Sequence, residues 1–153
     1  MKAVRRVVLL VLFVVVATLL TASEVRAAVS CHKINAKGVG QDLGDGVTEA
    51  NIIGGGLLQG TTAGNFVILG FAGTVASIEG TVVFTTNQAT LTVTVTGIFD
   101  VATGEFSASG AVTGATGRLA GATGTLLLEG IEDFSDFTFV EDVTGTICVD
   151  LAP

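Results

Sequence analysis

After residue 27, apolar and polar residues alternate along most of the chain. Leu91, Val93 and Val95 occupy odd positions, and threonines fill the even positions from 90 to 96. An alternation of period two indicates a β-strand that buries one face, and both Val and Thr favour that conformation. We therefore predict a strand at Thr90–Phe99, with Val82–Thr86 as its hairpin partner.

The same patterns predict further strands and no helix. Glycine and β-branched residues interrupt every stretch that is long enough to be helical. Turn-forming residues at Asn87–Ala89 and Asp100–Gly104 separate neighbouring strands. About eight short strands over residues ~45–151 indicate a closed antiparallel barrel or a sandwich, and residues 28–46 are predicted to be mostly irregular. The further predicted strands are Ala50–Leu58, Phe66–Phe71, Thr74–Glu79, Gly104–Val112, Gly124–Glu129, Phe137–Glu141 and Gly145–Asp150.

The strand Phe66–Phe71 is apolar on both parities. A barrel strand has one interior face, so its outer face is also expected to be covered. Two covers are possible: the irregular N-terminal segment, or a second copy of the chain. We favour the second, which makes the protein a homo-oligomer.

Residues 1–27 have the three parts of a signal peptide. Lys2, Arg5 and Arg6 open the chain, an apolar run of 14 residues follows at 7–20, and Ala27 ends a polar stretch. An uncleaved anchor is disfavoured, because 14 helical residues cover about 21 Å of a ~30 Å hydrocarbon core. A lipidated Cys31 is disfavoured by its distance from the run. Residues 28–153 are thus expected to form one β-barrel domain of a secreted protein, extracellular or periplasmic.

Removal of this peptide makes the chain strongly acidic. The remaining residues carry three cations and thirteen anions, a net charge of −10. Such a surface repels nucleic acid and anionic lipid, so neither nucleic acid nor a membrane is expected as a partner after cleavage.

Export also bears on the state of the two cysteines, because exported proteins fold in oxidising compartments. Cys31 and Cys148 lie near the ends of the exported chain, and an isolated pair in an oxidising compartment predicts a disulfide. The alternative, free thiols for a metal or for catalysis, has only His32 to support it and matches no zinc pattern. We therefore predict neither a metal nor another cofactor.

Acidic residues are the remaining polar candidates. Glu79, Glu105 and Glu129 fall at predicted strand ends, where exposure to solvent is expected. The acidic stretch from Glu129 to Asp142 contains three phenylalanines, and it is predicted to be a solvated loop anchored by them, with a calcium site as the alternative. A carboxylate inside an apolar barrel would instead have a raised pKa and could act as acid or base.

A near-repeat is the most specific feature of the chain. The run from 114 to 124 reads GATGRLAGATG. A nucleotide-binding glycine loop requires a helix after it, whereas the residues here that follow favour a strand. We predict a glycine-bent turn across one end of the barrel, with Leu119 directed inward as a plug.

This run resembles a glycine-rich segment, G-G-x-G-x-F-x-G-x-x-G, of allene oxide cyclases and the related segment of plant dirigent proteins. Ala115 stands where those families have Gly, and Leu119 stands where they have Phe. The resemblance implies an eight-stranded, calycin-like barrel that encloses an apolar cavity and is often trimeric. The matching positions are Gly114, Thr116, Gly117, Gly121 and Gly124.

The resemblance also implies a function: binding, with or without isomerisation, of an apolar small molecule. No catalytic or ligand-binding residue can be carried over from either family, because the chain has no Tyr and its exported part has one Arg. The sequence thus leaves open whether the protein is an enzyme. The alternative is an exported, non-enzymatic structural or surface-interaction protein with a packed barrel. An enclosed space of roughly 300 Å³ or more inside the barrel would favour ligand binding.

Overall fold

The computed structural model describes residues 28–151, which form eight strands and two single-turn 3-10 helices. The predicted signal peptide lies outside these residues. Neither 3-10 helix in the described range is long or apolar enough to cross a membrane. The strands are β1 (Ser30–Gly44), β2 (Val47–Gly54), β3 (Gly60–Ala72), β4 (Val75–Thr85), β5 (Thr90–Asp100), β6 (Glu105–Ala115), β7 (Thr123–Asp133) and β8 (Thr138–Val149).

The strands form a closed antiparallel barrel. Each strand pairs with the next along the chain, and β1 pairs with β8 to close the sheet. The prediction of an all-β, eight-stranded closed barrel is confirmed, and the sandwich is excluded. Both predicted turns, at Asn87–Ala89 and Asp100–Gly104, connect consecutive strands.

The prediction that residues 28–46 are mostly irregular is wrong. They form β1, the longest strand, with fifteen residues. In the middle of the strand Ile34, Ala36 and Gly38 face inward, and Lys33 and Lys37 face outward. The lysines and glycines obscure the alternation, although a barrel wall accepts them on its two faces.

Two pairs of predicted strands are single strands in the structure. The predicted segments at 74–79 and 82–86 join into β4 through Gly80, whose missing side chain leaves room for the Phe66 ring. The segments at 137–141 and 145–150 join into β8 through Gly145, which has a φ of 146° and lies against the backbone of β7. These glycines bend strands without ending them. The predicted strand Ala50–Leu58 stops earlier, at Gly54, where a 3-10 helix follows.

The outer face of β3 has no cover within the described chain. Val67, whose paired residue on β4 is the exposed Glu79, is 52% exposed. The bulge after Ile68 shifts the alternation, so Phe71 pairs with the buried Ala76 and lies on the inner side of the sheet, not on the outer face that its parity predicts. Cover by the N-terminal segment is therefore excluded, because that segment is β1 and lies between β2 and β8.

One end of the barrel is closed by two plugs. The 3-10 helices Gly56–Leu58, after β2, and Gly117–Leu119, after β6, lie at the end where β1 begins. Leu58 and Leu119 are buried in the core cluster that also contains Phe84 and Leu91. The predicted role of Leu119 as a plug is confirmed. We call this end, which also holds the β4–β5 turn, the plugged end, and the opposite one, formed by the β1–β2, β3–β4, β5–β6 and β7–β8 connections, the open end.

The disulfide lies at the plugged end. Cys31 and Cys148 are joined, and their Cα atoms are 3.9 Å apart in directly paired positions of β1 and β8. The predicted pairing is confirmed. The bond ties together the two strands that close the barrel, which indicates an oxidising environment for the folded protein.

Candidate functional site

The open half of the barrel contains a cavity of about 570 Å³. All eight strands contribute to its wall, and the turn residues Asp45 and Gly46 lie at its mouth. Below it, the plugged half is filled by packed Leu, Val, Ile and Phe side chains. The inward-facing apolar residues of its lining are Phe66, Ile68, Ile78, Val82, Phe99, Phe106, Ala108, Leu128 and Phe139.

Glycines in the wall make room for the aromatic rings of the lining. A Cβ added at Gly130 would lie 2.5 Å from the ring of Phe106, and one at Gly40 would collide with the ring of Phe139. Each ring therefore lies directly over a strand with no side chain beneath it. Phe106 and Phe139 then meet edge to face, with ring centroids 5.9 Å apart, which is a favourable aromatic geometry.

Glu141 is the buried polar group of this cavity wall. It lies on the inner face of β8, and only 7% of its surface is exposed. Its directly paired neighbours are Gly38 on β1 and Gly130 on β7, so no side chain flanks it from either strand. A Cβ at Gly38 would lie 2.5 Å from the Glu141 Oε1 atom, which shows that the carboxylate occupies the space left by this glycine.

Burial determines the chemistry of Glu141. Among residues 28–151, none forms a hydrogen bond or ion pair with its carboxylate. Burial without a partner disfavours the charged form and raises the pKa of Glu141 to about 7. The group thus exists in both protonation states at neutral pH, and it can donate or accept a proton inside an apolar space.

Three further carboxylates surround the mouth of the cavity. Glu132, on β7, is partly buried, and burial raises its pKa, with a smaller contribution from the negative charge of Asp42. Asp42, on β1, and Asp45, in the following turn, also line the mouth. The open end therefore presents negative charge to an incoming molecule.

The prediction for the acidic stretch 129–142 is wrong for its most important member. Only residues 134–137 form a loop, and Glu141 is inside the barrel instead of in solvent. Glu79, Glu105 and Glu129 are exposed, as expected. Within the described part of the chain, no group of three or more His, Cys, Asp or Glu side chains is placed to hold a metal ion.

The glycine-rich run lies far from the cavity. Gly117 and Gly121 adopt positive φ values of 59° and 76°, which glycine accepts without strain, and they form the turn that carries Leu119 into the plugged end. Thr116 Oγ1 lies 2.7 Å from Thr90 Oγ1 and ties this turn to β5. Gly114 lies near the end of β6 and Gly124 near the start of β7. None of these five positions lines the cavity.

Fold and cavity together define a class of protein: a small barrel with one plugged end and one open, mostly apolar end. No known family model matches the chain, and no curated protein sequence matches it. The resemblance to allene oxide cyclases and dirigent proteins therefore stays a prediction that is based on the glycine-rich run.

Proposed function

We propose that this protein is an exported container that binds an apolar small molecule in the open half of its barrel. The observation that carries the proposal is the cavity of about 570 Å³. It exceeds the roughly 300 Å³ from which ligand sites usually begin, and its wall combines many apolar side chains with few polar groups, as such sites do. A barrel packed throughout, as a purely structural role requires, would leave no such space.

Binding of a neutral, environment-sensitive dye such as Nile red tests this proposal. The chain has neither Trp nor Tyr, so dye fluorescence is measured without their emission. Ala108 lines the cavity on β6, and Ala111 lies exposed on the outer face of the same strand. We expect one dye per chain, a loss of affinity of at least ~10-fold in Ala108→Phe, and unchanged affinity in Ala111→Phe. Equal binding by all three folded proteins would reject the cavity as the site.

A second candidate, isomerisation of the bound molecule, is favoured by one observation: an unpartnered carboxyl group whose pKa is about 7 in an apolar cavity. Such a group suits proton transfer at neutral pH. In a β,γ-unsaturated ketone, Glu141 would take a proton from the α-carbon and return it to the γ-carbon, which yields the conjugated isomer with no other reactant. Appearance of the conjugated ketone, followed by absorbance, tests this candidate, and Glu141→Gln must abolish the reaction.

A further inference from the structure

The charges on the cavity wall have one sign. Four carboxylates line the cavity: Asp42 and Asp45 at the mouth, Glu132 just inside, and Glu141 deeper in. The described chain has three cations, and none of them lines the cavity: Lys33 and Lys37 point outward from β1, and Arg118 lies at the plugged end.

This charge distribution discriminates between amphiphiles. A carboxylate headgroup that enters the cavity would meet only negative side chains and would find no cation to pair with. An ammonium headgroup would be attracted along the same path, because a cleft with low-polarity walls focuses the field of its charges. The negative charge of the cavity wall therefore disfavours binding of fatty-acid anions and favours binding of cations.

Glu141 and the surrounding rings form the recognition element for such a cation. Glu141 as a residue is 7% exposed, lines the cavity, and has no hydrogen-bond or ion-pair partner among residues 28–151. Phe106 and Phe139 line the same space, and aromatic faces attract organic cations. An ammonium hydrogen-bonded to a buried carboxylate gains more than a neutral donor does, because both partners are charged.

We propose that the ligand is a cationic amphiphile, with an apolar body in the Phe-lined cavity and one ammonium group that pairs with Glu141. This inference rests on the proposed binding function and adds the charge class of the ligand. A charged neighbour of opposite sign favours ionisation of Glu141, so the pair forms with both groups charged.

Three probes that share a ten-carbon alkyl chain and differ in headgroup test the inference: decylammonium, decanol and decanoate. Each is titrated by calorimetry into the disulfide-bonded protein at neutral pH. We expect decylammonium to bind at least ~10-fold more tightly than decanol, and decanoate to bind most weakly. Decanol or decanoate binding as tightly as decylammonium would overturn the inference while leaving the container function intact. Binding of none of the three would remove the container function and this inference together.

Variants separate the cavity carboxylate from the acidic surface. Glu141→Gln keeps the size of the side chain and is expected to reduce the preference for decylammonium over decanol to within ~3-fold, with decanol affinity retained. Glu129→Gln removes an exposed carboxylate on the outer face of β7 and is expected to preserve the full preference. A preference that persists in Glu141→Gln would locate the cation at the surface and overturn the proposal. The ranking of probes by the unmodified protein needs no variant, so a poorly folding Glu141→Gln protein would leave the inference testable.

Discussion

Glu141→Gln is expected to stabilise the fold at neutral and alkaline pH and to change little at acidic pH. Burial raises the pKa of Glu141 from 4.5 to about 7 in the folded protein. Between these values the folded state binds the proton and the unfolded state releases it. The contribution of Glu141 to the free energy of unfolding is therefore full below about pH 4.5 and is lost as the pH rises to about 7. Glutamine does not titrate, so it avoids this loss.

The magnitude follows from the same two values. Each unit of pKa difference corresponds to about 1.4 kcal/mol, so the shift corresponds to a stability loss of ~3 kcal/mol between acidic and neutral pH. A loss of this size is a large fraction of the 5–15 kcal/mol that is typical of a small domain. The difference in unfolding free energy between Glu141→Gln and the unmodified protein should thus increase by ~3 kcal/mol from about pH 4 to about pH 8.

Urea denaturation at a series of pH values measures this difference. Far-UV circular dichroism is the suitable signal, because the chain has neither Trp nor Tyr for fluorescence. Glu129→Gln, on the outer face of β7, is the matched control and should differ from the unmodified protein by a constant amount. If the stability difference for Glu141→Gln is the same at both ends of the pH range, Glu141 is not a desolvated carboxyl and the reasoning is refuted.

Three further predictions concern the plugged end, the disulfide between β1 and β8, and the outer face of β3. Leu119→Ala should lower the unfolding free energy by about 2–5 kcal/mol, because it leaves a cavity in the plug, and a loss below ~1 kcal/mol in urea denaturation would contradict that role. Replacing both Cys31 and Cys148 by Ser should cost up to ~5 kcal/mol, because the bond closes a loop of more than 100 residues, and an unchanged denaturation midpoint would contradict this. We also propose that a second copy covers the outer face of β3: light scattering should give an oligomer that Val67→Ser shifts towards monomer, and a monomeric unmodified chain would reject the proposal.

Strands with a regular alternation were predictable because their two faces differ in composition. In β5, Leu91, Val93 and Val95 are all buried, and the intervening threonines face outward. β1 was missed because two of its inward positions are glycines, Gly38 and Gly40, which suggest a loop when the chain is considered alone. Their role depends on side chains from other strands, the carboxylate of Glu141 and the ring of Phe139. Local patterns do not contain that information.

The site was harder to predict than the fold, because alternation around Glu141 is ambiguous. Phe139, Glu141 and Val143 have one parity, Val140, Asp142 and Thr144 have the other, and each set contains one acid and at least one apolar residue. The composition of β8 therefore does not show which acid faces the interior. Asp142 faces outward and forms an ion pair with Lys37 Nζ at 2.6 Å, whereas Glu141 faces the cavity.

The strand register at the disulfide supplies the information that the alternation lacks. In an antiparallel pair of strands, start from two directly paired residues. The residue that lies a given number of positions after the first then pairs with the residue that lies the same number of positions before the second. Cys31 and Cys148 are directly paired, so seven steps lead from Cys31 to Gly38 and from Cys148 to Glu141. Successive side chains alternate between the two faces of the sheet, and seven is an odd number. Because the Cys31–Cys148 pair lies on the outer face, the Gly38–Glu141 pair lies on the inner face. Once β1 is known to be a strand in which Cys31 pairs directly with Cys148 and faces outward, this register places Glu141 in the interior, opposite Gly38, which has no side chain to obstruct it.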